Sequence, residues 1–247
     1  MSKNVVITGA SSGIGAALAV HASRAGHRVA LAARREAELD TVAARAGGGA
    51  IVIPTDVTKR SDVERLRDRA IAALGAVDVW VNNVGQGITR PPSQLTDEDI
   101  DEVMQVNVKS ALYGMQEVLP HFKERGTGHI INISSMLGRI PFAMVRSAYC
   151  GAKHFLNALT ATFRAEVQQT HPDIQFSLVS PGVVRTEFGL NARHGGPDSR
   201  QLPDSQSAEE IAEVIVTVIG SRQPDVYTRA GAHDRVVEYY ETVAVDS

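Results

Sequence analysis

The chain has 247 residues, 43% hydrophobic and 21% charged, with a formal net charge of −3 at pH 7. That composition suits a globular protein able to bury a full core, and the absence of a basic block argues against a nucleic-acid partner. Its one cysteine, Cys150, excludes an internal disulfide and offers no thiolate pair, so no metal is expected.

No uninterrupted apolar run of about 18 residues occurs, so no membrane span is expected. Residues 1–5 run directly into a strand pattern and leave no room for a signal peptide, which predicts a cytoplasmic location. Asn4-Val5-Val6-Ile7-Thr8 reads as that strand and ends in Gly9-Ala10-Ser11-Ser12-Gly13-Ile14-Gly15, before a helical stretch from Ala16 to Ala25. Glycine serves such a turn where φ is positive or where backbone must approach a ligand. The helix that follows offers free N–H groups and a positive dipole end, which suits a pyrophosphate.

The second strand, Arg28–Ala33, runs into Arg34-Arg35. In dinucleotide folds an acid near this point binds ribose hydroxyls, whereas an arginine accepts a 2′-phosphate. Ala33 stands where the acid would be and Arg34 follows, which favours NADP(H) over NAD(H). Glu36–Ala46 reads as a helix and 50–54 as the third strand; the following Asp56, with Val57, either meets an adenine or serves as a turn residue. Ser61-Asp62-Val63-Glu64 reads as a capping box for the next helix. The fourth strand, Val77–Val81, ends in Asn82-Asn83-Val84-Gly85.

Beyond Thr96, a candidate cap, a long helical stretch carries Asn107 in its middle, where asparagine is only a middling helix former. The fifth strand, His129–Ile133, delivers Ser134-Ser135. A helix to about Gln169 then carries Tyr149 and Lys153, four residues apart and so on one face. A lysine held near a phenol favours the phenolate, letting the tyrosine exchange a proton nearer neutral pH than its free value of about 10. Ile174–Val179 is the sixth strand, ending at Ser180-Pro181-Gly182-Val183-Val184-Arg185-Thr186. Residues 187–206 form a polar excursion of the kind used as a lid. Ser207–Glu210 caps a last helix, and Val226-Tyr227 closes the sheet.

Strands and helices alternate, and the strands are apolar throughout, which predicts a doubly wound parallel sheet, a Rossmann-type α/β fold of about seven strands in one domain over residues 1–247. Ligands of such sheets bind at the carboxyl ends of the strands. The glycine turn, Asn82-Asn83, Ser135 and Pro181-Gly182 all fall there.

Thr8–Gly15, Asn82–Gly85, Asn107, Ser135, Tyr149 with Lys153, and Pro181-Gly182 together resemble the short-chain dehydrogenase/reductase family. The resemblance covers nearly the whole chain and thins after about Thr186. It implies a catalytic tetrad of Asn107, Ser135, Tyr149 and Lys153, with Tyr149 as general acid or base and Ser135 stabilising the substrate oxygen. Lys153 would lower the tyrosine pKa and hold the nicotinamide ribose, and Asn107 would hold a water of a proton relay. The implied cofactor contacts are Gly9, Ser11, Ser12, Gly13, Ile14, Gly15, Arg34, Arg35, Asp56, Val57, Asn83, Gly85, Tyr149, Lys153, Pro181, Gly182, Val184 and Thr186. Two departures stand out. One residue more than usual separates Ser135 from Tyr149, assigned to the Arg139–Arg146 loop, and Ser12 replaces the basic residue that NADP(H)-preferring members often carry in the turn.

Met136, Leu137, Phe142, Met144, Val145, Val183, Phe188 and Leu190 are expected around the substrate, which implies a hydrophobic ketone or alcohol; Val145 and Leu190 serve equally as core. Arg193, His194 and Arg200 read as solvated lid charges or as contacts for an anionic carrier. Cys150 reads as a buried, unreactive thiol, and His154 as a packing residue. The leading expectation is an NADP(H)-dependent carbonyl reductase or secondary-alcohol dehydrogenase acting on a small molecule, assembled as a homotetramer or homodimer. Alternatives are a 3-oxoacyl-thioester reductase and an NADP(H)-sensing regulator without turnover; Arg34 speaks against a methyltransferase.

Overall fold

The computed structural model describes residues 1–243. Seven strands, β1 Asn4–Thr8, β2 Arg28–Ala33, β3 Ile51–Pro54, β4 Val79–Asn82, β5 Gly128–Ile133, β6 Ile174–Ser180 and β7 Asp225–Tyr227, form one sheet in the order β3-β2-β1-β4-β5-β6-β7. Every neighbouring pair is parallel. The expected doubly wound architecture is therefore present, and the order reverses between β1 and β4, which opens the crevice where such sheets bind ligands.

Successive strand residues face opposite sides of the sheet. Val79 and Val81 join a core with α1 (Gly13–Arg24), α2 (Glu36–Arg45) and α7 (Ala208–Ser221). Trp80 joins the other core, with α3 (Arg60–Leu74), α5 (Ser110–Arg125) and α6 (Ser147–Gln168). A chain of buried side chains crosses this second layer. Trp80 Nε1 donates to Asn82 Oδ1 (2.9 Å), Asn82 Nδ2 to Asn132 Oδ1 (2.8 Å), and Asn132 Nδ2 to Thr160 Oγ1 (2.8 Å). Buried amides left unpaired are costly, so this chain fixes α6 against β4 and β5.

Two of the expected caps are formed. Thr96 and Asp99 make a capping box at α4 (Asp97–Met104), and Ser207 and Glu210 make another at α7. The box expected at Ser61 is absent: α3 begins at Arg60 after Lys59, with no side-chain cap. Asp62 instead accepts from the backbone N–H of Asp56, which fixes the turn after β3. No helix among the described residues is long and apolar enough to cross a membrane.

The excursion over residues 187–206 is pinned at Arg193 and His194. Asp99 is fully buried and accepts from Arg90 and His194 (2.7 and 2.8 Å) and from Arg193. Arg193 also pairs with Glu102, and Thr89 N–H donates to the Arg193 carbonyl (3.0 Å). This corrects the expectation for Arg193 and His194, which are neither free lid charges nor available to an anionic carrier. Arg200, exposed and paired with Asp198 and Glu187, keeps the solvated role. Burial works to raise the Asp99 pKa, but hydrogen bonds from Arg90, His194, Thr96 and Arg193 outweigh it and hold the carboxyl well below the usual range. The contribution of the clamp to stability is present above the unfolded value near 4 and fades as pH falls below it. Asp99→Asn is expected to lower the melting temperature and to speed tryptic cleavage after Arg193 and Arg200 by roughly tenfold, because the segment then opens locally. Unchanged cleavage would show that the clamp does not hold the excursion.

Candidate active site

At the C-terminal end of β1 the glycine turn is shaped by close approach. Gly9 and Gly13 adopt φ of +68° and +53°, and a Cβ on Gly15 would lie 2.3 Å from the Gly9 carbonyl oxygen. Only glycine fits these positions. Ser12 precedes α1 without capping it through its side chain, so the first amides of the helix face the crevice uncapped by that hydroxyl. Ile14 packs against the core and anchors the turn. These features fit a pyrophosphate, which needs close backbone approach and unpaired N–H groups.

Asn83, expected at the cofactor, works on the turn itself: Nδ2 donates to the Thr8 carbonyl (3.1 Å) and its N–H to Thr8 Oγ1 (3.0 Å). At the end of β2, Arg34 and Arg35 are both exposed. Arg35 Nη2 reaches Ser11 Oγ (3.1 Å), tying the second strand to the glycine turn, and pairs with Glu38. Asp56 takes the turn role: Oδ1 accepts from Thr58 N–H (3.1 Å) and Thr58 Oγ1 (2.7 Å). Burial raises its pKa, but those bonds and the charges of Lys59 and Arg34 prevail and lower it. Val57 is buried among core residues, so only its backbone faces the crevice.

The tetrad residues converge beyond β5. Ser135 Oγ accepts from Leu137 N–H (3.1 Å), which leaves its own proton for another acceptor. Ser134 is engaged elsewhere, donating to Asn157. Tyr149 is buried, and its pKa is pushed up to about 12 by burial, against the pull of Ser135 and Arg146. Lys153 is buried too; burial brings it down to about 8, and Nζ donates to the Ile133 carbonyl (2.9 Å). Its ammonium stands 5.7 Å from the centre of the Tyr149 ring. Burial thus raises the phenol of the protein alone, opposite in direction to the lowering expected from the lysine.

Asn107 lies in a π-helical turn, Gln105–Lys109, between α4 and α5. Its side chain is spent on backbone, donating to the Gln86 and Val103 carbonyls (2.9 and 3.0 Å) and accepting from Gln86 N–H (3.1 Å). A Cβ on Gly85 would lie 3.1 Å from Asn107 Oδ1 and 3.4 Å from Lys153 Nζ, so these three meet. A Cβ on Gly138 would lie 2.9 Å from Lys153 Cβ, which makes glycine the condition for seating α6 against the serine loop.

The loop after β6 closes the crevice. The Pro181 carbonyl accepts from Met136 N–H (2.8 Å), joining that loop to the serine loop beside Gly182. A Cβ on Gly13 would lie 3.3 Å from Thr186 Cγ2, so the loop spans from the serine to the glycine turn. The Thr186 hydroxyl contacts the Val184 carbonyl (3.4 Å) and accepts from Phe188 N–H (3.3 Å).

Of the expected substrate contacts, Phe188 packs edge-on against Tyr149 with ring centres 5.5 Å apart, and Met136 and Leu137 follow Ser135. Phe142 and Met144, on the loop between Arg139 and Arg146, are 61% and 73% exposed. Cys150 is buried and burial raises its thiol pKa; His154 Nδ1 bonds to the Cys150 carbonyl (2.8 Å). Three contributors escaped the sequence reading: Gln86, which grips Asn107, Gly138, and Arg146, one turn before Tyr149. Only Arg146 carried a signal, its i, i+3 spacing to the tyrosine.

Comparison with known proteins agrees with this arrangement. The model of the short chain dehydrogenase family matches residues 3–195. An uncharacterized oxidoreductase of Staphylococcus saprophyticus is 34% identical over 232 residues, 92% of this chain and 87% of its own length. A short chain dehydrogenase/reductase of Burkholderia phymatum, solved in complex with NAD, superposes with a TM-score of 0.89 at 26% identity, covering 98% of this chain and 94% of that one. An alcohol dehydrogenase of the archaeon Thermococcus sibiricus, complexed with 5-hydroxy-NADP, gives 0.79 at 28% identity over 92% and 96%. With its glycine turn, its Ser135–Tyr149–Lys153 cluster and these relatives, the chain belongs to the short chain dehydrogenase family of oxidoreductases.

Proposed function

We propose that the protein is an NADP(H)-dependent oxidoreductase that interconverts a ketone and a secondary alcohol. The observation that carries this reading is the meeting of Tyr149, the free proton of Ser135 and buried Lys153 at one strand end, next to a glycine turn fit for a pyrophosphate. A bound nicotinamide would supply the hydride. Ser135 donates to the carbonyl oxygen and stabilises the charge that develops there. Tyr149 then delivers its proton. A neutral phenol is fully protonated at neutral pH and is a much stronger acid than the alcohol formed, so it can donate when the carbonyl is reduced. Lys153 holds the ribose hydroxyls and returns a proton toward the phenol. Because the Asn107 side chain is committed to Gln86 and Val103, its backbone carbonyl is the group assigned to hold a relay water, and the π turn that displaces it from a regular helix favours that role.

The two solved relatives carry different cofactors, so the choice of NADP(H) rests on Arg34 and Arg35, which follow β2 directly, with Ala33 where the acid would stand. Assembly as a homotetramer or homodimer and a lid role for residues 187–206 belong to the same proposal. The 3-oxoacyl-thioester alternative, which rests on relatives of this length, loses two of its three candidate carrier contacts once Arg193 and His194 are committed to Asp99. The sensing alternative is disfavoured because both the tyrosine and the lysine are present.

Turnover of a ketone panel with NADPH tests the reading. Tyr149→Phe is expected to lower kcat by at least about 100-fold with NADPH affinity retained; turnover that survives would mean the proton comes from elsewhere. For the cofactor, the Arg34→Ala, Arg35→Ala double variant should weaken NADPH binding roughly 100-fold in a fluorescence titration and change NADH binding by only a few-fold. An equal change for both cofactors would remove the phosphate role.

A further inference from the structure

The guanidinium of Arg146 lies inside the site, yet it is committed to nothing. Its buried Nη1 has no hydrogen-bond partner among the described residues, and the same holds for the buried Thr89 Oγ1. The two groups share one space. A Cβ on Gly196 would lie 2.9 Å from Arg146 Nη2 and 3.0 Å from Thr89 Oγ1, and a Cβ on Gly87 would lie 2.4 Å from Nη1 and 3.1 Å from Phe188 Cε1. Glycines at 87 and 196 therefore make the room in which the guanidinium sits. Phe188 in turn packs on Tyr149, and Arg146 stands at the N-cap position of α6, three residues before Tyr149, close enough for its charge to act on the phenol.

The nearby carboxylate cannot neutralise it, because Asp99 is taken by Arg90, Arg193 and His194. Burial lowers the Arg146 pKa, and the groups that act against this are Tyr149 and Cys150, both uncharged at neutral pH. A guanidinium stays charged under these conditions, and a buried unpaired charge is unfavourable unless a ligand completes it. Its planar fork matches a carboxylate, with the Thr89 hydroxyl able to donate alongside.

We propose that the substrate carries a carboxylate a few bonds from the reacting carbonyl, held by Arg146 and Thr89, with its apolar part against Phe188. This deepens and rests on the ketone reductase reading above. It assigns the class of oxo acids and hydroxy acids. A carrier thioester fits less well, since its phosphates are remote from the carbonyl and Nη1 is buried within the site.

The test uses purified protein, NADPH, and phenyl-substituted 2-, 4- and 5-oxo acids, each paired with its methyl ester. For at least one chain length the acid is expected to exceed its ester in kcat/KM by about 30-fold. In Arg146→Met that ratio should fall to about one, and in Arg146→Lys, which keeps a charge without the fork, it should lie between. Wild-type protein that treats every acid and ester alike, or prefers acetoacetyl-coenzyme A to all oxo acids, overturns the proposal without any variant. If no ketone is turned over, the reductase reading fails on its own. Quenching of bound NADPH fluorescence then decides: tighter binding of an acid than of its ester supports the carboxylate site, and equal binding overturns it.

Discussion

The site depends on one ammonium that is almost wholly buried. Lys153 is enclosed between β5 and α6 and has one backbone carbonyl, that of Ile133, as its hydrogen-bond partner. Burial brings its pKa from 10.5 down to about 8, so the charged form at neutral pH opposes folding by about 3 kcal/mol. Between those two values the unfolded chain binds more protons than the folded one, and the stability tied to this group rises with pH. A soluble fold accepts such a residue when its charge serves a ligand or a reaction.

The surrounding architecture is what keeps the cation in place. Trp80, Asn82, Asn132 and Thr160 form a hydrogen-bonded row through the layer beneath, and Gly138 lets the serine loop press on the backbone of Lys153. Gly85 brings Asn107 to the other side. Phenol, ammonium and serine hydroxyl are thereby held on elements that cannot shift independently. The same packing removes water from the phenol, which raises Tyr149 and keeps it neutral. At the outer edge, Asp99 gathers Arg90, Arg193 and His194, while Arg146 Nη1 is left without a hydrogen-bond partner among the described residues.

Much of this was legible in the sequence, for reasons that differ by residue. The alternation of apolar strands with helices declared the parallel sheet, because strands buried on both faces need no polar alternation. Positions that depend on local chemistry were also readable: the glycine turn, the caps at Thr96 and Ser207, and the tyrosine and lysine one turn apart. What escaped depends on long-range packing. Arg193 and His194 look like solvated charges until Asp99, far away in sequence, is brought against them. The lysine was expected to acidify the phenol, but that expectation counted a charge and could not count the desolvation of both groups. The misplaced cap at Ser61 has the same origin, since Asp62 is drawn to Asp56 across the turn.

The central claim is that burial, more than the neighbouring ammonium, sets the proton affinity of Tyr149 in the protein alone. A pH titration by carbon NMR with tyrosine labelled at Cζ, assigned by comparison with Tyr149→Phe, reads that affinity directly. The account predicts that the Tyr149 signal keeps the shift of a neutral phenol at least to pH 9. A phenolate shift already present at pH 8 would contradict it and return the lysine to the controlling role.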